Sequence, residues 1–205
     1  MRRWLGRVPT PYRVVFSRLP GALFGHLQLL RAYDGKLGLD PGLRLLVSSH
    51  LASVNGCTFC DDIGRAVAAR RRLSLEKVAV LGDYRRDPRF DARERAALAY
   101  VEEATRDRRV ADATFATLRR HFDEREIVEL TWLAAVENYL NMINVPLGIE
   151  SDGFCALAPS TTTPRSRRAW NTLPSSFGPT KTLTSTSLVA RGIPYWPYAS
   201  APPSA

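Results

Sequence analysis

The chain has 205 residues, 45% of them hydrophobic and 24% charged, and carries a net charge of +9. That length holds one full domain with a buried core and excludes two large ones. No apolar run approaches the roughly 18 to 20 residues of a membrane span, and an odd count of three cysteines argues against a secreted, disulfide-stapled fold.

The opening MRRWLGRVPTPYR has a twin Arg with no apolar stretch behind it, so a secretory signal is not expected, and three cysteines with one CxxC fit a cytoplasmic protein better. GALFGHLQLLRAYD, residues 21–34, reads as an amphipathic helix. LDPGLRLLVSSHLASVNG predicts a second, with Asp40 as N-cap and Pro41 at the first helical position. Leu43, Leu46, Val47, His50 and Val54 form its stripe, and Gly56 is a stop or hinge.

A third helix begins in or near CTFC and runs through DDIGRAVAARRR. Asp61 and Asp62 stand at its start and Arg70, Arg71 and Arg72 at its end, as the helix dipole prefers. DARERAALAYVEEATR opens with Asp91 and Glu94 spaced as a capping box. DATFATLRRHF is a short amphipathic helix with Phe115, Leu118 and Phe122 on one side. DEREIVELTWLAAVENYLNMINVP repeats the box with Asp123 and Glu126. Beyond Glu129 it is apolar nearly all round, so it lies in the core or beneath another subunit. Its Glu137, Asn138 and Asn141 either fix register as a satisfied polar cluster or line a site. No period-2 strand pattern is present, and the reading is an all-α domain over residues 1–157.

Residues 158–205 differ in kind. The stretch 156–205 holds five Lys or Arg (Arg165, Arg167, Arg168, Lys181, Arg191), no Asp or Glu, and eight each of Pro, Ser and Thr. Such a composition predicts a disordered basic tail. It also accounts for over half of the excess charge, so the nucleic-acid reading weakens to non-specific phosphate contact by the tail.

NGCTFCDD carries the chemistry. Two cysteines three apart at a helix start bring their sulfurs to one side of the first turn, within reach of a disulfide. The positive end of a helix favours thiolate over thiol. A thiolate attacks peroxide or disulfide sulfur, and its neighbour closes the disulfide before further oxidation. Two bland alternatives stand beside this: a buried pair that only packs, and half of a zinc site. Zinc is disfavoured because His26, His50, His121 and Cys155 stand at no matched spacing, so no metal or other cofactor is expected.

LRLLVSSHLASVNGCTFCDDIGRAVA, followed by DARERAALAYVEEATR and DEREIVELTWLAAVENYLNMINVPLGI, resembles the carboxymuconolactone decarboxylase and alkylhydroperoxidase D family over residues 20–157. The resemblance implies an all-helical, alkylhydroperoxidase D-like bundle assembled as a homo-oligomer, commonly a trimer or hexamer. In the peroxidase branch it implies that the second cysteine, Cys60 here, attacks peroxide and the first, Cys57, resolves it. A peroxide or disulfide substrate and a thiol reductant are then the expected partners.

The family's proton relay does not carry over. Its Glu position, twelve residues before Cys57, is Leu45, and its His position, four after Cys60, is Gly64. A buried thiol without a base is slow to ionise. His50, seven residues before Cys57, is the nearest substitute, as base or as imidazolium, against the alternative of a hydrogen-bonded core histidine. Two other functions compete with the redox one. The decarboxylase branch shares the fold without relying on the cysteines, and a non-catalytic assembly or nucleic-acid module would use the tail.

Overall fold

A computed structural model describes residues 7–35 and 37–156, apart from the side chain of Asp34. The expectation of a disordered tail over 158–205 lies outside the described residues. Six α-helices follow a π-helical turn at Tyr12–Phe16: α1 (Pro20–Gly35), α2 (Pro41–Val54), α3 (Thr58–Arg71), α4 (Ala92–Asp107), α5 (Asp112–Arg119) and α6 (Glu124–Asn144). A 3-10 turn at Val78–Asp83 lies between α3 and α4, and no strand occurs among the described residues.

Local signals set the helix starts. Asp40 accepts from the N–H groups of Gly42 and Leu43, with Pro41 at the first helical position. Both expected capping boxes form, Asp91 with Glu94 on α4 and Asp123 with Glu126 on α6. Each satisfies two otherwise orphaned N–H donors. Replacing Asp123 by Ala is expected to cost about 1 kcal/mol in urea unfolding, while Asp123→Ser stays near wild type. Equal midpoints for Asp123→Ala and wild type would contradict this account of the α6 start.

Packing does the rest. Helix α2 runs through the centre and touches α3, α4 and α6. Val47 and Leu51 of α2, Leu98 and Val101 of α4, Leu118 of α5 and Leu130 and Leu133 of α6 are fully buried in one cluster. Each contributes roughly 1.5–3 kcal/mol by leaving water. A smaller cluster gathers Cys57, Phe59, Ala66, Ile149 and Phe154, with Val14 and Val15 of the π-helical turn packed against it.

The expectation for α6 resolves into two faces. Leu130, Leu133, Ala134 and Val136 face the core, whereas Val128, Trp132, Tyr139 and Met142 are exposed, Val128 and Met142 by about two thirds. Within one chain, then, α6 is not wrapped on all sides.

Candidate active site

The Asn-Gly pair before the first cysteine is a helix stop. Gly56 adopts φ +68°, the left-handed region where a side chain is strained. That bend lets the Cys57 N–H reach back to the Ala52 carbonyl (2.8 Å) and the Gly56 N–H to Ser53 (3.2 Å), closing the carbonyls at the end of α2. The chain then re-enters a helix at once. Cys57 is the N-cap of α3, and its sulfur accepts the Cys60 N–H at 3.2 Å.

Cys57 and Cys60 are joined as a disulfide, their Cα atoms 5.3 Å apart. Cys57 is 2% exposed, whereas Cys60 is partly exposed and is the more accessible residue of the pair. Two carboxamides from the last turn of α6 point at the pair. Asn141 Nδ2 donates to Cys60 Sγ at 3.1 Å, and Asn144 Nδ2 lies 3.4 Å from Cys60 Sγ and 3.9 Å from Cys57 Sγ. Asn55 Nδ2 donates to both Asn141 Oδ1 (2.7 Å) and Asn138 Oδ1 (3.2 Å).

A tied-down roof covers the pair. Asp62 is buried, and its two carboxylate oxygens accept the N–H groups of Phe154 and Cys155, each at 2.8 Å. Asp152 accepts from the Thr10 N–H (2.8 Å) and hydroxyl (2.7 Å), joining the C-terminal segment of the domain to the N-terminal one. Phe154 meets Phe59 edge-on beside the disulfide. Asp61 behaves as the simple helix-start acid expected, pairing with Arg65 at 2.8 Å, but Asp62 instead clamps a segment more than 90 residues away.

His50 is buried on α2 and lies against α4. Its Nε2 meets Glu102 Oε2 at 3.2 Å, its ring stands edge-on to Tyr84, and Tyr84 donates to the same Glu102 oxygen at 2.9 Å. Among the described residues no hydrogen bond joins His50 to either sulfur. Burial pushes the His50 imidazole below its ordinary pKa and outweighs the upward pull of Glu102. The ring is thus neutral at pH 7 and donates its Nε2 proton to Glu102. His26, held between the Tyr12 and Tyr139 hydroxyls, is likewise lowered by burial.

These two histidines give a pH dependence of known sign. The folded state binds fewer protons than the unfolded chain, whose histidines titrate near ~6.5, so this stability is complete above that pH. It is lost as pH falls through the folded-state values. Glu102 is also held below its ordinary value, but its window lies lower, below about 4.5. Urea midpoints are expected to fall between pH 7.5 and 5, and His50→Gln should flatten that slope. A wild-type midpoint constant over this range would contradict the assignment.

Leu45 and Gly64 are placed where neither can move a proton. Leu45 is buried in the main core, and a Cβ at Gly64 would meet only the Ser49 hydroxyl at 3.9 Å. Asn55, Asn144 and Asp62 were not distinguished as site residues by sequence. The available signal was two asparagines three apart on the last turn of an otherwise apolar helix. Among the described residues no group of three His, Cys, Asp or Glu is arranged to hold a metal ion, and no helix is long and apolar enough to cross a membrane.

No protein-family model matches the chain. The uncharacterized protein YnjA of Escherichia coli (strain K12) is 34% identical over 156 residues, spanning 76% of this chain and 80% of its own length. Among solved structures, a protein of unknown function from Agrobacterium tumefaciens, named for the antioxidant defence protein AhpD, superposes with a TM-score of 0.61 at 26% identity. It covers 68% of this chain and 97% of its own. The debrominase Bmp8 superposes with a TM-score of 0.67 at 20% identity over 77% of this chain and 85% of its own, a likeness of fold alone. With the helix order and the cysteine pair at the start of α3, these likenesses show that the chain belongs to the carboxymuconolactone decarboxylase and AhpD-like family.

Proposed function

We propose that this protein is a dithiol-dependent peroxide reductase, cycling Cys57 and Cys60 between thiols and a disulfide. The observation that carries the reading is the bonded pair at the α3 start, with the less buried residue, Cys60, facing two carboxamide donors. The antioxidant name of the Agrobacterium relative supports it.

The Cys60 thiolate attacks one peroxide oxygen. The O–O bond breaks, the other oxygen leaves as an alcohol or water after taking a proton, and Cys60 becomes a sulfenic acid, oxidised by two electrons. Cys57 then displaces the hydroxyl as water and forms the disulfide. An external dithiol returns two electrons and two protons by thiol–disulfide exchange and is itself oxidised. No step calls for a cofactor. His50 is engaged with Glu102 and does not accept the thiol proton directly in this scheme.

The exposed Val128, Trp132 and Met142 of α6 support assembly with further copies of the chain; the trimer or hexamer is what the family resemblance implies, and a cytoplasmic setting is the reducing one that a working dithiol needs. The test is dithiol-dependent consumption of an organic hydroperoxide by the full chain. Consumption by wild type and none with Cys57 and Cys60 both replaced by Ser is expected. Turnover of a carboxylated lactone that survives the double replacement, without peroxide consumption by wild type, would overturn this reading in favour of the lyase branch.

A further inference from the structure

We propose that Asn141 and Asn144 are the groups that hold Cys60 as a thiolate, with Asn55 as the positioning residue that aims Asn141. The inference deepens the peroxidase reading and rests on it for its biological use, though not for its test.

Asn141 and Asn144 are 2% and 3% exposed. Buried carboxamide N–H groups ordinarily pair with oxygen, and a neutral disulfide sulfur is a weak acceptor. Aiming two such donors at one sulfur is favourable when that sulfur becomes an anion during the cycle, because hydrogen bonds to an ionised acceptor are roughly twice as strong. Bonding to the charged form also lowers a thiol's pKa. The donors thus do the work of the missing relay by a different route: they stabilise the thiolate where the relay would remove the proton.

The direction of these bonds follows from chemistry. Asn138 Nδ2 donates to the Ala134 carbonyl at 2.8 Å and to the Thr105 hydroxyl at 3.0 Å. A backbone carbonyl only accepts, so the amide nitrogen of Asn138 must face it, and its Oδ1 must face Asn55. Asn55 therefore presents Nδ2, which also donates to Asn141 Oδ1. That leaves Asn141 with its N–H toward Cys60. Turning over Asn138, Asn55 or Asn141 alone would set donor against donor or acceptor against acceptor.

The arrangement also distinguishes the two cysteines. Cys60 receives carboxamides at 3.1 and 3.4 Å, whereas Cys57 receives a backbone N–H at 3.2 Å and Asn144 only at 3.9 Å. Asn144 Oδ1 is buried with no hydrogen-bond partner among the described residues. In the disulfide neither sulfur has a proton to give it, while the reduced Cys57 thiol has one.

Apart from Cys155, a free thiol, the charged and titratable groups on the elements packed around the pair are otherwise engaged. Asp61 pairs with Arg65 and Asp62 with two backbone N–H groups on α3 and the segment after α6. His50 of α2 pairs with Glu102. On α6, Glu137 accepts from Tyr33 and Tyr139 contacts His26. Tyr12 meets the same His26, Asp152 pairs with Thr10, and the Arg7 guanidinium lies over the Phe154 ring at 5.3 Å.

The test is the pH dependence of iodoacetamide alkylation at Cys60, followed by mass in the reduced full-length Cys57→Ser protein. The expected midpoint lies below the ordinary thiol value of ~8.5. In that background Asn141→Leu should raise it by about one unit, slowing alkylation at pH 7 about tenfold. Asn55→Leu should move it the same way although Asn55 touches neither sulfur. A midpoint at or above the ordinary value before any Asn is changed overturns the proposal. So does an unmoved midpoint in an Asn141→Leu protein that keeps its helical circular dichroism. A low midpoint that responds to Asn141 in a protein that consumes no peroxide would leave this inference standing and remove the peroxidase reading.

Discussion

Replacing Cys60 by Ser is expected to lower peroxide consumption by about three orders of magnitude or more, because a serine hydroxyl stays protonated at neutral pH and has no low-energy two-electron oxidation. Cys57→Ser should behave differently. It loses turnover but keeps a single round of reaction, leaving Cys60 arrested as a sulfenic acid, heavier by about 16 Da. The contrast comes from burial and donors together: Cys60 is the partly exposed residue and the one facing Asn141 and Asn144, while Cys57 is buried in one cluster with Phe59 and Phe154. If Cys60→Ser reacts once with peroxide and Cys57→Ser does not, the roles of the two sulfurs are reversed.

The largest stability effect is expected at Asp62. Its carboxylate is buried and meets two backbone N–H groups at 2.8 Å, tying α3 to the Phe154–Cys155 backbone. Removing it leaves both donors without a charged acceptor, and Asp62→Ala should cost about 2–4 kcal/mol in urea unfolding. The consequence extends to the site, because Phe154 packs over the disulfide in the same small cluster. A loosened roof should let a small thiol reduce the Cys57–Cys60 bond several-fold faster at a pH and temperature where the variant remains folded. An unchanged midpoint together with an unchanged reduction rate would show that this segment does not control access.

What was legible in the sequence is what local chemistry decides. Asp40, Asp91 and Asp123 each act within three residues of themselves, so their caps could be read without knowing the fold. The same holds for the cysteine pair, whose spacing and position at a helix start suffice to bring the sulfurs together. The rest depends on contacts between distant segments. His50 was correctly expected on the buried stripe of α2, yet its partner comes from α4, 52 residues further along. Asp62 looked like one of two interchangeable helix-start acids, and only the return of the chain at Phe154 separates it from Asp61. Asn55 and Asn141 are 86 residues apart, and each alone is an ordinary polar residue at a helix end. Glu137 shares their stretch of sequence but turns to Tyr33 on α1, so the apparent cluster on α6 divides between two neighbours.

The departures at Leu45 and Gly64 fit the same account. One position is filled by core packing and the other is left open beside Ser49, so the proton problem passes to groups that the spacing of the family's motif does not mark. A carboxamide neither gains nor loses a proton at neutral pH, so its influence on Cys60 is set by geometry and persists across the physiological range.

The measurement closest to the central claim is the mass of the pre-reduced full-length chain after one equivalent of hydrogen peroxide, followed by alkylation and peptide mapping. The account predicts a loss of about 2 Da, with the peptide holding Cys57 and Cys60 internally linked, Cys155 alkylated, and the change reversed by a dithiol. Both Cys57 and Cys60 remaining fully alkylatable in the folded protein after peroxide treatment would contradict it.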